Sequence, residues 1–283
     1  MDSRPVVNEA GSTDVRTGGA PRPSASGVGA FFRRHSDTVL PLLAFVVFMV
    51  LWEILGRLTN PILFSPPSRV ARGFVELMAD GRLQRAFLVT MNALSVAFLA
   101  SVVVGIPFGL VIGRWKLLSD VFEPYLDAVY ATPRVVLVPL VILWFGVGYE
   151  GRLFLIWIGT VVPIIINTAI GVRNVRSDLI EVATSFGAKE THLARHVILP
   201  GAVPYIMAGL RIGMGRALVG VIVAEIFLDL TGLGGIIQTE SAYFRTHRML
   251  AAVVVIAVLG TLLIGAFSLI ERRFAPWKES LRE

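Results

Sequence analysis

Six stretches of this sequence are each apolar over the length a helix needs to cross a bilayer. They lie near Leu40 to Leu55, Val89 to Ile112, Tyr125 to Phe145, Leu153 to Val172, Tyr205 to Leu228 and Met249 to Ile270. A hydrocarbon core about 30 Å thick takes about 20 helical residues, with latitude for tilt. Within it every backbone N–H and C=O must find a partner inside the chain, and runs of this length select the helix. A soluble bundle of six such helices would need amphipathic helices to enclose it, and these runs leave none. The expected fold is therefore all-α and integral to the membrane, with about six transmembrane helices.

Composition agrees, since 55% of the residues are hydrophobic and 16% charged, against about 25% charged in an average soluble domain. The net charge of +6 does not point to nucleic acid, because the basic residues sit between the apolar runs rather than on one contiguous stripe. Counting Lys and Arg with six spans puts 15 on the side of both termini and 8 in the alternate loops. By the positive-inside rule both termini are then cytoplasmic, in a multi-pass protein of the plasma (inner) membrane. Five of the eight opposing charges fall in the first external loop. There Val70, Phe74, Leu77 and Met78 recur at helical spacing, which predicts an interfacial helix over Val70 to Leu83.

The sequence has no cysteine, so disulfides, thiolate metal sites and cysteine nucleophiles are excluded. Residues 1–29, rich in Gly, Ser, Pro and Arg, read as a disordered cytoplasmic tail and residues 30–283 as one transmembrane domain. The tail lacks the short basic start of a secretory signal. In the second span Gly105, Gly109 and Gly113 line one face, as close helix packing requires.

Charges inside apolar runs mark a cavity, a pair or a functional path, and Arg134, Arg216 and Glu225 are the candidates for a translocation path. Each has a plainer reading. Arg134 follows Pro133 and can belong to a broken helix, and Arg211 can reach water at a helix end. Arg216 and Glu225 are too far apart on one helix to meet, so either would pair with another helix. His192 and His196 share a face but lack a third ligand, so no metal site is expected.

The segment Arg173 to Pro204 is too polar to cross the membrane and too patterned to be a spacer. It reads as two short helices. Ser177 is a suitable N-cap, and Leu179, Val182, Ala183 and Phe186 then share a face until Gly187 ends the run. A second run, Lys189 to Leu199, places Leu193 and Val197 on one face, and Pro200 is expected to stop it before span five. Two such helices at the cytoplasmic surface suit docking by another protein.

The run Glu181, Val182, Ala183, three residues, Gly187, nine residues, Val197, Ile198, Leu199, Pro200 resembles the EAA loop of type I ABC importer permeases. Val182 stands in place of the family's middle Ala, and Val197 in place of Ile. The resemblance extends through Thr132-Pro133-Arg134, Pro139-Leu140, Trp144-Phe145-Gly146, Gly232-Leu233-Gly234-Gly235 and Glu271-Arg272-Arg273, in the style of the nitrate, sulfonate, taurine and bicarbonate branch. It implies that Glu181, Val182, Ala183, Gly187, Val197, Leu199 and Pro200 form the loop that couples to an ATPase. It further implies a dimer of ABC ATPase subunits using ATP and Mg, a second permease copy, most simply in a homodimer, and an extracytoplasmic solute-binding protein. The sequence holds no Gly-x-x-x-x-Gly-Lys-Ser/Thr phosphate loop, so the chain is expected to bind no nucleotide or other cofactor and to be no enzyme itself. A secondary transporter would be expected to show inverted repeats, and a membrane enzyme a convergent cluster of His, Asp or Ser; neither is evident.

Overall fold

The computed structural model describes residues 27–60 and 62–274, and these contain helices and no strand. Most of the expected tail, residues 1–26, lies outside the described residues, and Gly27 to Gly29 open the first helix. Residues up to Leu51 form one unit and those from Trp52 a second. Helix α1, Gly27–Leu58, runs through the first unit, and its segment Val39–Leu58 is long and apolar enough to cross a membrane.

In the second unit, α2 (Pro67–Ala79) is the expected interfacial helix, shifted toward the N-terminus. Pro67 starts it in the fixed helical φ that favours the first turn, and Gly81, at φ +66, ends it before Leu83. Val70 and Leu77 are buried, whereas Phe74 and Met78 face outward. The Glu76 carboxylate joins Arg248 at 2.7 Å and His247 at 3.4 Å. The hydrogen bond from Arg248 holds the Glu76 carboxyl below its ordinary value.

The core is three long helices side by side: α3 (Arg82–Arg114), α6 (Tyr149–Arg173) and α9 (Leu199–Ala224). The predicted glycine face is where α3 meets α6. A Cβ at Gly109 would stand 2.6 Å from the Cβ of Thr168, and one at Gly113 2.7 Å from the Ala169 carbonyl, so only glycine permits this approach. Ala93, Leu94, Ala97 and Phe98 of α3 then bury Ile156, Met214, Ala217 and Val221 between the helices.

The third expected span is not one straight helix. It divides into α4 (Lys116–Ala131) and α5 (Arg134–Phe145), bent by 100° at the break. Pro133 lacks an N–H and drives the residue before it out of the helical region, and Thr132 accordingly has ψ 125.

A second departure concerns Pro200. After α7 (Ser177–Ser185) and α8 (Glu190–Leu193), a π-turn at Ala194–Ile198 leads straight into α9, and the helical run continues to a second π-turn at Glu225–Asp229. Pro200 does not stop the helix. It falls in the first turn of α9, and the wider i→i+5 turn before it, in which Leu199 N–H donates to the Ala194 carbonyl, relieves the clash a proline makes with the preceding turn. The run Glu190–Asp229 passes as one span of 40 residues. Short α10 (Gly232–Ala242) and long α11 (Thr246–Phe274) complete the chain. Among the described residues, five helices are long and apolar enough to cross a membrane, or six if the bent α4–α5 pair is counted as one span.

Candidate functional site

Helix α7 begins at Ser177 itself, the expected cap position, so that Arg176 is the N-cap, with no side-chain cap bond. Asp178 acts instead: its carboxylate accepts the Leu179 N–H at 2.9 Å, as suits an acid in the first turn. The Arg176 guanidinium bonded to it holds the Asp178 carboxyl below its ordinary value. At the other end Gly187 has φ +77, its N–H donates to the Thr184 carbonyl at 2.9 Å, and the Ala188 N–H donates to Ala183 at 3.0 Å. These two bonds are the Schellman ending, which needs left-handed backbone at this position.

Of the apolar stripe predicted for α7, Leu179, Val182 and Phe186 face away from the chain, and Ala183 turns inward. Leu179, Val182 and Phe186 are 49%, 55% and 89% exposed, Glu181 and Gly187 are exposed beside them, and no residue of α7 is buried. The following segment does the anchoring. Leu193 and Ile198 are buried against Val172, Ala202 and Ile206, with Ile180, Ala183 and Val197 partly buried on that cluster. Leu199 and Pro200 remain exposed. Arg114 at the end of α3 reaches Glu190 at 2.7 Å. His192 and His196 stack on each other with ring centroids 4.7 Å apart.

Of the three charges singled out within spans, the fold brings two together. Arg134, at the α4–α5 break, donates to the carbonyls of Arg216 and of Gly159, the latter at 2.8 Å. Arg216 lies over the Tyr130 ring, 4.6 Å from its centroid.

Glu225 is elsewhere and fully buried. Its Oε1 accepts the Thr90 hydroxyl at 2.7 Å, its Oε2 accepts the Gly234 N–H at 2.9 Å, and Thr90 in turn accepts the Leu233 N–H at 2.9 Å. Arg152 approaches Glu225 at 3.9 Å and Asp229 at 3.1 Å, and donates to Thr231. The carboxyl and the Thr90 hydroxyl thus take one orphan N–H each at the start of α10, those of Gly234 and Leu233, and tie it to α3 and α6. Gly232, at φ +64, leaves room for it, because a Cβ there would overlap the carboxyl.

Sequence reasoning named Glu225 but missed Thr90 and Arg152, and it quoted Gly232 and Gly234 without linking them to that carboxyl. A lone Thr in an apolar run carries little signal, and the partners lie 135 and 143 residues apart. Gly159 was also missed, and a Cβ there would overlap the Arg134 guanidinium.

Comparison with known proteins adds to this geometry. A family profile described as "Binding-protein-dependent transport system inner membrane component" matches residues 105–276. The taurine transport system permease protein TauC of Escherichia coli is 29% identical over 82% of this chain and 86% of its own length. The aliphatic sulfonates transport permease protein SsuC of Escherichia coli is 32% identical, covering 84% of this chain and 92% of its own. Among solved structures, the MetNI methionine ABC transporter in an inward-facing conformation aligns with TM-score 0.62 at 19% identity, over 70% of this chain and 98% of that one, which speaks to the fold.

Proposed function

Because the chain belongs to the binding-protein-dependent transport system inner membrane components, we propose that it forms half of the translocation path of an ATP-driven importer. Cargo reaches it from an extracytoplasmic binding protein, and a dimer of ABC ATPase subunits, which use ATP and Mg, supplies the energy. A second copy of the same chain completes the path. The cargo is a small anion such as a sulfonate, taurine or nitrate, in keeping with the names of the taurine and sulfonate relatives. Both termini face the cytoplasm, which puts α7 on the side where ATP is found.

One observation carries the ATPase reading. Outside every membrane-length segment, α7 holds an uncovered apolar face, Leu179, Val182 and Phe186, flanked by Glu181 and closed by Gly187. A helix with such a face needs a groove on another protein to bury it, in the manner of helix-in-groove recognition. Glu181, Val182, Ala183 and Gly187 set the contact, while Val197, Leu199 and Pro200 join it to span five.

Affinity purification of the tagged chain from gently solubilised membranes, with Glu181 and Gly187 variants alongside, tests this. A P-loop ATPase should accompany the wild type and be lost from the variants. A chain that purifies alone yet moves solute in liposomes without ATP would refute the reading.

A further inference from the structure

Several arginines inside the spans are matched. Arg152 has Asp229 and Glu225, Arg211 has Glu271 at 3.0 Å, and Arg173 has Glu123. Arg134 and Arg216 are different: among the described residues neither has a carboxylate at ion-pairing distance. They line one cleft with Tyr130, Thr132, Gly159 and four aliphatic residues, and no acid is among them. An arginine inside a span is costly, and such residues face a protein partner or water. Here two share one place without a counter-charge.

The place is also built. A Cβ at Gly159 would overlap the Arg134 guanidinium, and one at Gly220 would stand 2.7 Å from its Nη1. These two glycines, on α6 and α9, make the slot that Arg134 fills, and it donates from Nη1 to the Arg216 carbonyl and from Nη2 to that of Gly159. The guanidinium of Arg216 makes no hydrogen bond among the described residues and is exposed on its outer side, backed by the Tyr130 ring. The cleft itself holds about 20 Å³, room for one water, so a ligand would sit on the outer face of Arg216. The first turn of α5 lines the same cleft, and the N-terminal end of a helix adds partial positive charge.

We propose that the outer face of Arg216, stacked on Tyr130, binds a small oxyanion, with Arg134 as the positioning residue that fixes its backbone and adds to the field. A planar guanidinium fork suits the paired oxygens of a sulfonate, nitrate or bicarbonate. This assignment rests on the importer reading and names the step at which that path holds an anion. Glu225, with its bonds made to Thr90 and Gly234, takes no part.

The test needs no cargo identification. The chain, in lipid nanodiscs, is treated with phenylglyoxal, which modifies accessible guanidiniums, and Arg216 and Arg134 are followed by peptide mass spectrometry. Arg216 should react and Arg134 should not. Ethanesulfonate at about ten times its Kd should slow the Arg216 reaction by about tenfold, as mass action requires, while neutral dimethyl sulfone and chloride at equal ionic strength should not. Arg134→Gln should weaken this protection and Arg134→Lys should restore most of it. An unreactive Arg216, or protection given equally by chloride or the sulfone, overturns the proposal. Recruitment of the ATPase separates the two readings: protection without recruitment keeps the anion site and loses the importer, and recruitment without protection loses only the anion site.

Discussion

The loop at α7 and the join around Glu225 sit at the two ends of one continuous helical run, and they are made in opposite ways. In α7 nothing is buried, the ends are set by local bonds from Asp178 and Gly187, and the informative side chains point away from the chain. Around Glu225 almost everything is buried, and the partners come from α3, α6 and α10. The first region leaves an apolar face uncovered, and the second pairs its buried polar groups within the chain, Arg152 Nε excepted. Substitutions should therefore cost function at one end and stability at the other.

The largest expected effect is at the buried end. Glu225→Ala takes the acceptor from the Gly234 N–H and the Thr90 hydroxyl and leaves Arg152, itself 5% exposed, with Asp229 alone. Each buried polar group left without its partner costs about 1–3 kcal/mol. Thermal unfolding in detergent should show this as a clear loss of midpoint, and an unchanged midpoint would mean the join is not what holds α10. A smaller effect, of another kind, is expected at Gly187→Val. A β-branched residue held at φ +77 costs about 1–2 kcal/mol locally, so membrane insertion and melting should change little while ATPase recruitment falls. If recruitment persists at wild-type level, the α7 ending has no coupling role and the contrast between the two ends collapses.

The smallest effect lies between these extremes, at the Glu76 pair with Arg248. The folded carboxyl titrates below its unfolded value of 4.5, so its stabilisation is present above about pH 4.5 and is lost as pH falls through the folded value. Because the pair is partly exposed it is screened by salt, and its worth is at most about 1 kcal/mol. Glu76→Gln should remove this dependence from melting curves taken between pH 6 and the acid limit, leaving the curves otherwise parallel.

What could be read from the sequence follows the same division. The apolar runs other than the third, the glycine face of α3 and the Gly187 ending are local or periodic, and each stands where the pattern put it. Pro133 and Pro200 show the limit of local rules. Both interrupt a helix in principle, yet Pro133 breaks the span by 100° while Pro200 is absorbed by a π-turn that no single residue announces. The stripe on α7 was legible as a stripe, but only the fold shows that it stays uncovered while Leu193 and Ile198 take the inward role. Glu225 was suspected for its charge, and its partners were invisible because a contact between Thr90 and Glu225 leaves no mark on spacing.

The helical run from Glu190 to Asp229 is about 60 Å long at 1.5 Å per residue. It carries one π-turn at each end, at Ala194–Ile198 and Glu225–Asp229. Between them α9 is unbroken, so the exposed α7 end and the buried Glu225 end are joined by one stiff member rather than by a loop.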